Sequence, residues 1–264
     1  MQTKCIKHNK SENTLNCGFM RKFFGFILSP IHYVAFGLTL AIFHPIQWLC
    51  FNAFGYQAHK RSVDVLNFCL VSTYYLLGDV VTFKDNQNLP LGRPMIFVAN
   101  HQSLYDIPVM IWYLRKYHPK FISKIELAKG IPSISYNLRH GGAANIDRKD
   151  PRQSIMEIGK LGTNMKEKGW SAMIFPEGTR SADGVVKAFQ AAGVAALLKK
   201  CPEALIVPVA INNSWKMVRY GKFPLNTFLS MSWEVLAPIE RNSRTADELV
   251  KEAENQIKAT LHQL

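Results

Sequence analysis

Between Phe23 and His59 the chain carries no Asp, Glu, Lys or Arg, which rules this stretch out as a solvated linker or an ordinary surface helix. Cysteine is sparse and unpatterned. Five residues, at 5, 17, 50, 69 and 201, contain no Cys-x2-Cys pair, and an odd number argues against a disulfide framework, so a reducing compartment fits best. Acid is also scarce, with 19 Asp and Glu against 32 Lys and Arg and a formal charge of +13. That balance favours an anionic partner such as nucleic acid, anionic lipid or a phosphorylated small molecule. The basic residues are scattered, with no arginine-rich tract, no recognition-helix pattern and no aromatic-basic ladder, and nucleic acid is therefore set aside. There is no repeat or low-complexity tract, and 48% hydrophobic against 19% charged residues excludes disorder.

A chain of 264 residues has room for one large α/β domain with an appendage. Residues 1–22 hold Lys4, Lys7, Lys10, Arg21 and Lys22 against the single acid Glu12 and read as a basic flexible arm. Residues 23–78 read as apolar membrane-anchoring helices. The uncharged run is longer than the roughly 7–15 apolar residues of a secretory signal and lacks a small-residue cleavage site. Pro30 and Pro45 should cut it into pieces shorter than the roughly 20 residues a crossing needs, and Arg21-Lys22 and Lys60-Arg61 make both flanks basic. The expectation is a helical hairpin that enters one leaflet and returns, with both ends on the cytoplasmic face. A single crossing from Ile31 to Phe51, or a hairpin buried in a soluble core, are the alternatives. A second apolar helix over residues 63–78 joins this anchor to the domain.

Residues 79–264 alternate short apolar strands with amphipathic helices, which implies an α/β fold: a mixed, mainly parallel sheet flanked by helices. Strands are expected at Val80–Phe83, Met95–Ala99, Lys120–Ser123, Ser171–Phe175, Leu205–Ile211 and Phe228–Val235. Pro208 inside the fifth of these marks an edge, a bulge or a strand end. Asp150 as cap, Pro151 at the first position and Gly169 as stop delimit one helix, and Thr245 with Glu248 forms a capping box for the last.

The chemistry centres on Asn100-His101-Gln102-Ser103-Leu104-Tyr105-Asp106, just after the Met95–Ala99 strand. Five residues of helix turn through about 140°, so His101 and Asp106 could not share a face if both were helical. His101 therefore belongs to the strand-to-helix loop, and Asp106 to a helix start between Ser103 and Asp106. There the carboxylate can turn back onto one imidazole nitrogen and leave the other free to take a proton. Phe175-Pro176-Glu177-Gly178-Thr179-Arg180-Ser181 follows another strand and supplies a carboxylate, a glycine amide, a hydroxyl and a guanidinium suited to phosphate oxygens. His101, Arg148 and Arg180 each follow a strand, where parallel sheets bind ligands.

Taken together, four blocks resemble the glycerolipid acyltransferase superfamily, and most closely its lysophosphatidate acyltransferases. Asn100 to Asp106 is similar to the family's His-x4-Asp block and Phe175 to Ser181 to its Glu-Gly-Thr-Arg block. Gly142 to Arg148 is similar to the block ending in Ile-Asp-Arg, and Val207-Pro208-Val209 to its final Val-Pro block. The resemblance covers residues 80–240, with Asn145 standing where members usually carry a large apolar residue.

The resemblance implies that His101, held by Asp106, deprotonates the free hydroxyl of a lysophospholipid, which attacks an acyl thioester directly without an acyl-enzyme. By similarity Arg180 holds the acceptor phosphate with Glu177, Gly178 and Thr179, while Arg148, Lys124 and Ser103 are further binding residues. No cofactor is implied beyond acyl-CoA or acyl carrier protein as co-substrate. No metal is implied either, since His101 and Asp106 lack a third and fourth ligand. The partners implied are membrane lipids, a lysophospholipid acceptor and the acyl donor, and the product is phosphatidic acid. The same chemistry on glycerol-3-phosphate or a lyso-amino-acid lipid, a hydrolase, and a membrane-binding protein without activity are the rival readings.

Overall fold

The computed structural model describes the chain with its side chains from Gly18 to Leu264; the basic arm expected over residues 1–22 lies outside these but for its last five. Strands β1 (Val80–Lys84), β2 (Met95–Ala99), β3 (Pro119–Lys124), β4 (Ala144–Ile146), β5 (Ser171–Ile174), β6 (Leu205–Asn212) and β7 (Ser230–Val235) form one sheet. Its order is β1-β7-β6-β2-β5-β3-β4, and the β6–β7 pair is antiparallel while the others are parallel.

Helix α1 (Gln2–Ser72) and α2 (Asp106–Tyr113) cover one face of the sheet; α4 (Pro151–Lys168), α5 (Ala192–Lys200) and α6 (Ala246–Thr260) cover the other, and the short α3 (Ile134–His140) precedes β4. The two-sided cover explains the unbroken apolar run of β2. Met95, Phe97 and Ala99 enter the core beside α1 and α2, Ile96 and Val98 enter the core beside α4 and α5, and all five are buried.

Local signals set several boundaries. The Asp150 side chain accepts from Gln153 N, Pro151 opens α4, and Gly169 ends it in the left-handed region at φ 65°. Thr245 and Glu248 form the capping box of α6. Pro208 lies inside β6 next to a bulge. Val209 pairs with Val235 and Ile206 with Ile239, so three steps on β6 face four on the other strand.

The apolar segment differs from the expectation in where it breaks. α1 runs through both Pro30 and Pro45 and turns instead at Gly55, whose backbone is non-helical at φ 78°, ψ −172°. Beyond Gly55 the second arm comes back along the first: Leu40 packs against Leu66 and Leu70, His32 Nδ1 lies 3.1 Å from Thr73 O, and the Phe51 and His59 rings are 5.5 Å apart. A proline inside a helix costs about 3 kcal/mol, and contacts near each one hold the first arm helical. Near Pro30, Ser29 Oγ accepts from Leu225 N at 2.8 Å; near Pro45, His44 Nδ1 accepts from Ser133 N at 3.1 Å. At residue 55 the chain takes the left-handed φ that glycine adopts without steric cost, whereas Gly25 and Gly37 stay helical.

The outer face of the first arm stays apolar. Phe23, Ile27, Ile31, Val34, Leu38, Ile42, Ile46 and Leu49 are all exposed, at steps of three or four residues that place them on one side of the helix. This segment is long and apolar enough to cross a membrane by length and composition. The inner end of the first arm is fastened to the domain: Thr227 Oγ1 donates to Arg21 O at 2.9 Å, and Gly25 lies so close to Leu225 that a Cβ there would sit 2.2 Å from its carbonyl oxygen.

Candidate active site

Strand β2 ends in Ala99 and delivers Asn100 and His101 to the carboxyl rim of the sheet. Asn100 continues the ladder with its side chain, donating Nδ2 to Ile211 O at 2.9 Å and accepting from Ile211 N at 2.8 Å. The loop that follows is fixed against β6 before it reaches His101.

Asp106 opens α2, and its carboxylate is fully buried. Oδ2 accepts from His101 Nδ1 at 2.9 Å, Gln102 N at 2.8 Å and Ser103 N at 2.9 Å. Oδ1 accepts from Ser103 Oγ at 3.3 Å and Ser214 Oγ at 2.5 Å. A carboxylate oxygen already accepting two backbone N–H groups makes Nδ1 the protonated nitrogen of His101. The Nε2 lone pair is thereby left to act as a base. The imidazole lies flat on the Phe175 ring, centroids 4.0 Å apart, which fixes its plane as the carboxylate fixes its tautomer.

The turn after β5 is built around the same histidine. Glu177 Oε1 accepts from His101 N at 3.0 Å, and Ser181 N donates to His101 O at 2.8 Å, so both backbone groups of His101 are held by this turn. Gly178, at φ 70°, makes the sharp reversal and donates its N–H to Phe175 O at 3.1 Å. Lys187 Nζ donates to Thr179 Oγ1 at 3.0 Å and to Arg180 O at 2.8 Å, bracing the turn from outside.

Burial pushes the Glu177 carboxyl up to about 7, against the downward pull of the His101 N–H and of Lys187, with Asp106 adding a further upward push. Between its ordinary value of 4.5 and about 7, native Glu177 keeps a proton that the unfolded chain has lost, so this group costs stability as pH rises. Glu177→Gln removes that titration. Thermal melts across this range should show the variant gaining on the wild type as pH rises; a gap that stays constant would refute the assignment.

The residues expected at the site take three positions. His101, Asp106, Ser103, Glu177 and Gly178 form one hydrogen-bonded unit, in which the Ser103 hydroxyl is engaged with Asp106 and with Tyr105 N. Arg180, exposed in the same turn as Glu177, lines a largely apolar cavity of about 320 Å³ together with Leu104 from the His101 loop. Lys124 ends β3 and Arg148 follows β4 on the same rim, about 10 and 14 Å away from β2 at the usual strand spacing. Lys124 is ion-paired with Glu126 at 3.1 Å, and Arg148 is exposed. Asn145 donates to Leu138 O at 2.7 Å and so ties β4 to α3.

The sequence reading did not find Ser214, Lys187 or the stacking role of Phe175. Ser214 lies 108 residues from Asp106, at the start of a short 3-10 helix (Ser214–Val218) with no motif of its own.

A family model described as Acyltransferase matches residues 80–212, just over half of the chain, and spans β1 to β6 with both the His-x4-Asp and Glu-Gly-Thr-Arg blocks. The chain belongs to the acyltransferase family. Its relatives include a chloroplastic 1-acyl-sn-glycerol-3-phosphate acyltransferase of Arabidopsis thaliana, 29% identical over 83% of this chain and 58% of that protein. A protein of the same activity name from Pseudomonas aeruginosa is 22% identical over 75% of this chain and 76% of that protein. The chain spans between about two fifths and three fifths of the first plant and algal relatives it matches. The crystal structure of the 1-acyl-sn-glycerophosphate (LPA) acyltransferase PlsC from Thermotoga maritima shares the fold, with a TM-score of 0.75, 23% identity and coverage of 92% of this chain and 97% of that one.

Proposed function

We propose that this acyltransferase moves an acyl group from a thioester, acyl-CoA or acyl carrier protein, to the free sn-2 hydroxyl of 1-acyl-sn-glycerol-3-phosphate, forming phosphatidic acid. The observation that carries the reading is the His101–Asp106 pair on a loop whose Leu104 lines, with Arg180, a largely apolar cavity. His101 Nε2 takes the hydroxyl proton and the alkoxide oxygen attacks the thioester carbonyl carbon. The tetrahedral intermediate collapses, the C–S bond breaks, and the imidazolium returns its proton to the departing thiolate. Asp106 stabilises the imidazolium without itself taking the proton. The cavity suits an acyl chain in size and lining, and Arg180 suits the acceptor phosphate.

An acceptor panel tests this. Purified protein with a labelled acyl thioester is offered lysophosphatidate, glycerol-3-phosphate, a lyso-amino-acid lipid and no acceptor, with products read by mass. The reading requires phosphatidic acid as the major product; a preferred phosphate-free acceptor, or fatty acid released without acceptor, would replace it. In the same assay Arg180→Ala should lower kcat/KM for lysophosphatidate by about 10–10²-fold, mostly through KM, and Lys should restore it only in part. An unchanged acceptor KM would remove Arg180 from this role.

The hairpin's exposed apolar face supports membrane association of this side of the molecule. Wild-type protein should float with vesicles of phosphatidylglycerol and phosphatidylethanolamine, and the double variant Ile31→Glu, Leu38→Glu should stay behind. Equal flotation would mean that this face is not the anchor.

A further inference from the structure

The cavity beside Arg180 runs the length of β3, from Ser123 at the rim to Lys120 and Pro119 at the opposite end. Leu66, Leu70 and Ile111 line its middle. On the second arm of α1 the eleven steps from Leu70 to His59 span about 16 Å of helix. At that far end the lining changes character, with His59, Lys60, Asp64, His118 and Lys120 replacing the leucines. A plain hydrocarbon terminus gives no reason for such a cluster.

Most of these groups are satisfied by one another. Lys60 Nζ pairs with Asp64 at 2.5 Å, and Tyr56 Oη lies 2.7 Å from His118 Nε2. Two are not. His59 is fully buried, and neither ring nitrogen has a hydrogen-bond partner among the described residues. Lys120 is 9% exposed and has no ion pair among the described residues; its ammonium sits 5.1 Å from the Tyr56 ring centroid and 4.8 Å from that of Trp170. Cation–π contact leaves its three N–H donors unspent. Burial lowers Lys120 to about 7, with Lys60 nearby adding to the effect and Asp64 opposing it.

A buried donor without a partner is costly, and an oxygen brought to it recovers that cost, whereas a methyl group only completes its desolvation. A carboxylate would have to cross the apolar length of the cavity as a charge; a hydroxyl crosses more cheaply and can accept from Lys120 while donating to or accepting from His59. We propose that the inner end of this cavity is a polar seat for the far end of the acyl chain, selecting donors that carry an ω-hydroxyl over plain chains of the same length. The inference rests on the acyl-transfer reading above and adds the donor class to it.

The test uses full-length protein in detergent and pairs of acyl-CoA donors, plain and ω-hydroxylated, with dodecanoyl, hexadecanoyl and octadecanoyl chains. Binding of each donor alone is measured by calorimetry, and transfer to lysophosphatidate by product mass. At the chain length that reaches His59 the hydroxylated donor should bind and react about tenfold better than its plain partner. In Lys120→Met and His59→Phe the ratio should fall to about one, with the plain chain transferred at least as well as by the wild type. A wild-type ratio of one or below at every length, or a ratio that persists in both variants, would overturn the proposal. If either variant fails to fold, the wild-type series decides alone. Absence of transfer with every donor would sink the acyl-transfer reading instead, and the binding ratio would still report on the seat.

Discussion

His101→Ala should lower kcat for acyl transfer by about 10²–10⁴-fold, the usual contribution of a positioned general base, while leaving KM for both substrates near the wild-type value. The structural reason is that His101's backbone, rather than its ring, organises the loop. Its N–H is held by Glu177, its carbonyl by Ser181 N, and the Asp106 carboxylate keeps four other donors when the imidazole is removed. The ring contributes its stacking on Phe175 to stability, worth about 1 kcal/mol, so the variant should fold and melt close to the wild type. Retained turnover in folded protein would remove His101 from the mechanism. Loss of folding would instead make the histidine structural.

Asp106→Asn should cost about 10³-fold in kcat by a different route. The amide can keep its oxygen toward the N–H groups of Gln102 and Ser103, so the loop is retained, and the Ser103 and Ser214 hydroxyls can rotate to accept from the new NH2. What is lost is the negative charge that stabilises the imidazolium in the transition state. Ser214→Ala is the graded control: it leaves four of the five donors on Asp106 and should reduce kcat by about tenfold, with KM unchanged. If Asp106→Asn and Ser214→Ala were equally mild, the carboxylate would be holding the loop and not the base.

How much of this was readable in the chain depends on how far apart the cooperating residues lie. The His101–Asp106 pair spans five positions, and the strand before it, the helix after it and the offset between them all constrain one short segment. Asp150, Pro151 and Gly169 delimit α4 for the same reason: capping acts within a turn. Ser214 and the Asn100–Ile211 clamp act across 108 and 111 residues, and no local periodicity marks either. α3 has seven residues and follows Gly130, Pro132 and Ser133, the last at φ 60°, so its start reads as a break. In the apolar segment composition identified a hairpin, but the turn fell at Gly55 because lateral contacts hold the helix at Pro30 and Pro45. The cavity's polar end is the least legible feature. His59, His118 and Lys120 meet only because the second arm of α1 packs beside the start of β3.

The proposed mechanism is direct transfer, in which an imidazole would activate the acceptor and no covalent acyl-enzyme would form. Single-turnover measurement of thiol release, with enzyme in excess over acyl-CoA, tests this with and without lysophosphatidate. Thiol should appear only when the acceptor is present, one per molecule of phosphatidic acid formed, and His101→Ala should slow both together by the same factor. A burst of thiol in the absence of acceptor, with the acyl group found on the protein or as free fatty acid, would contradict it.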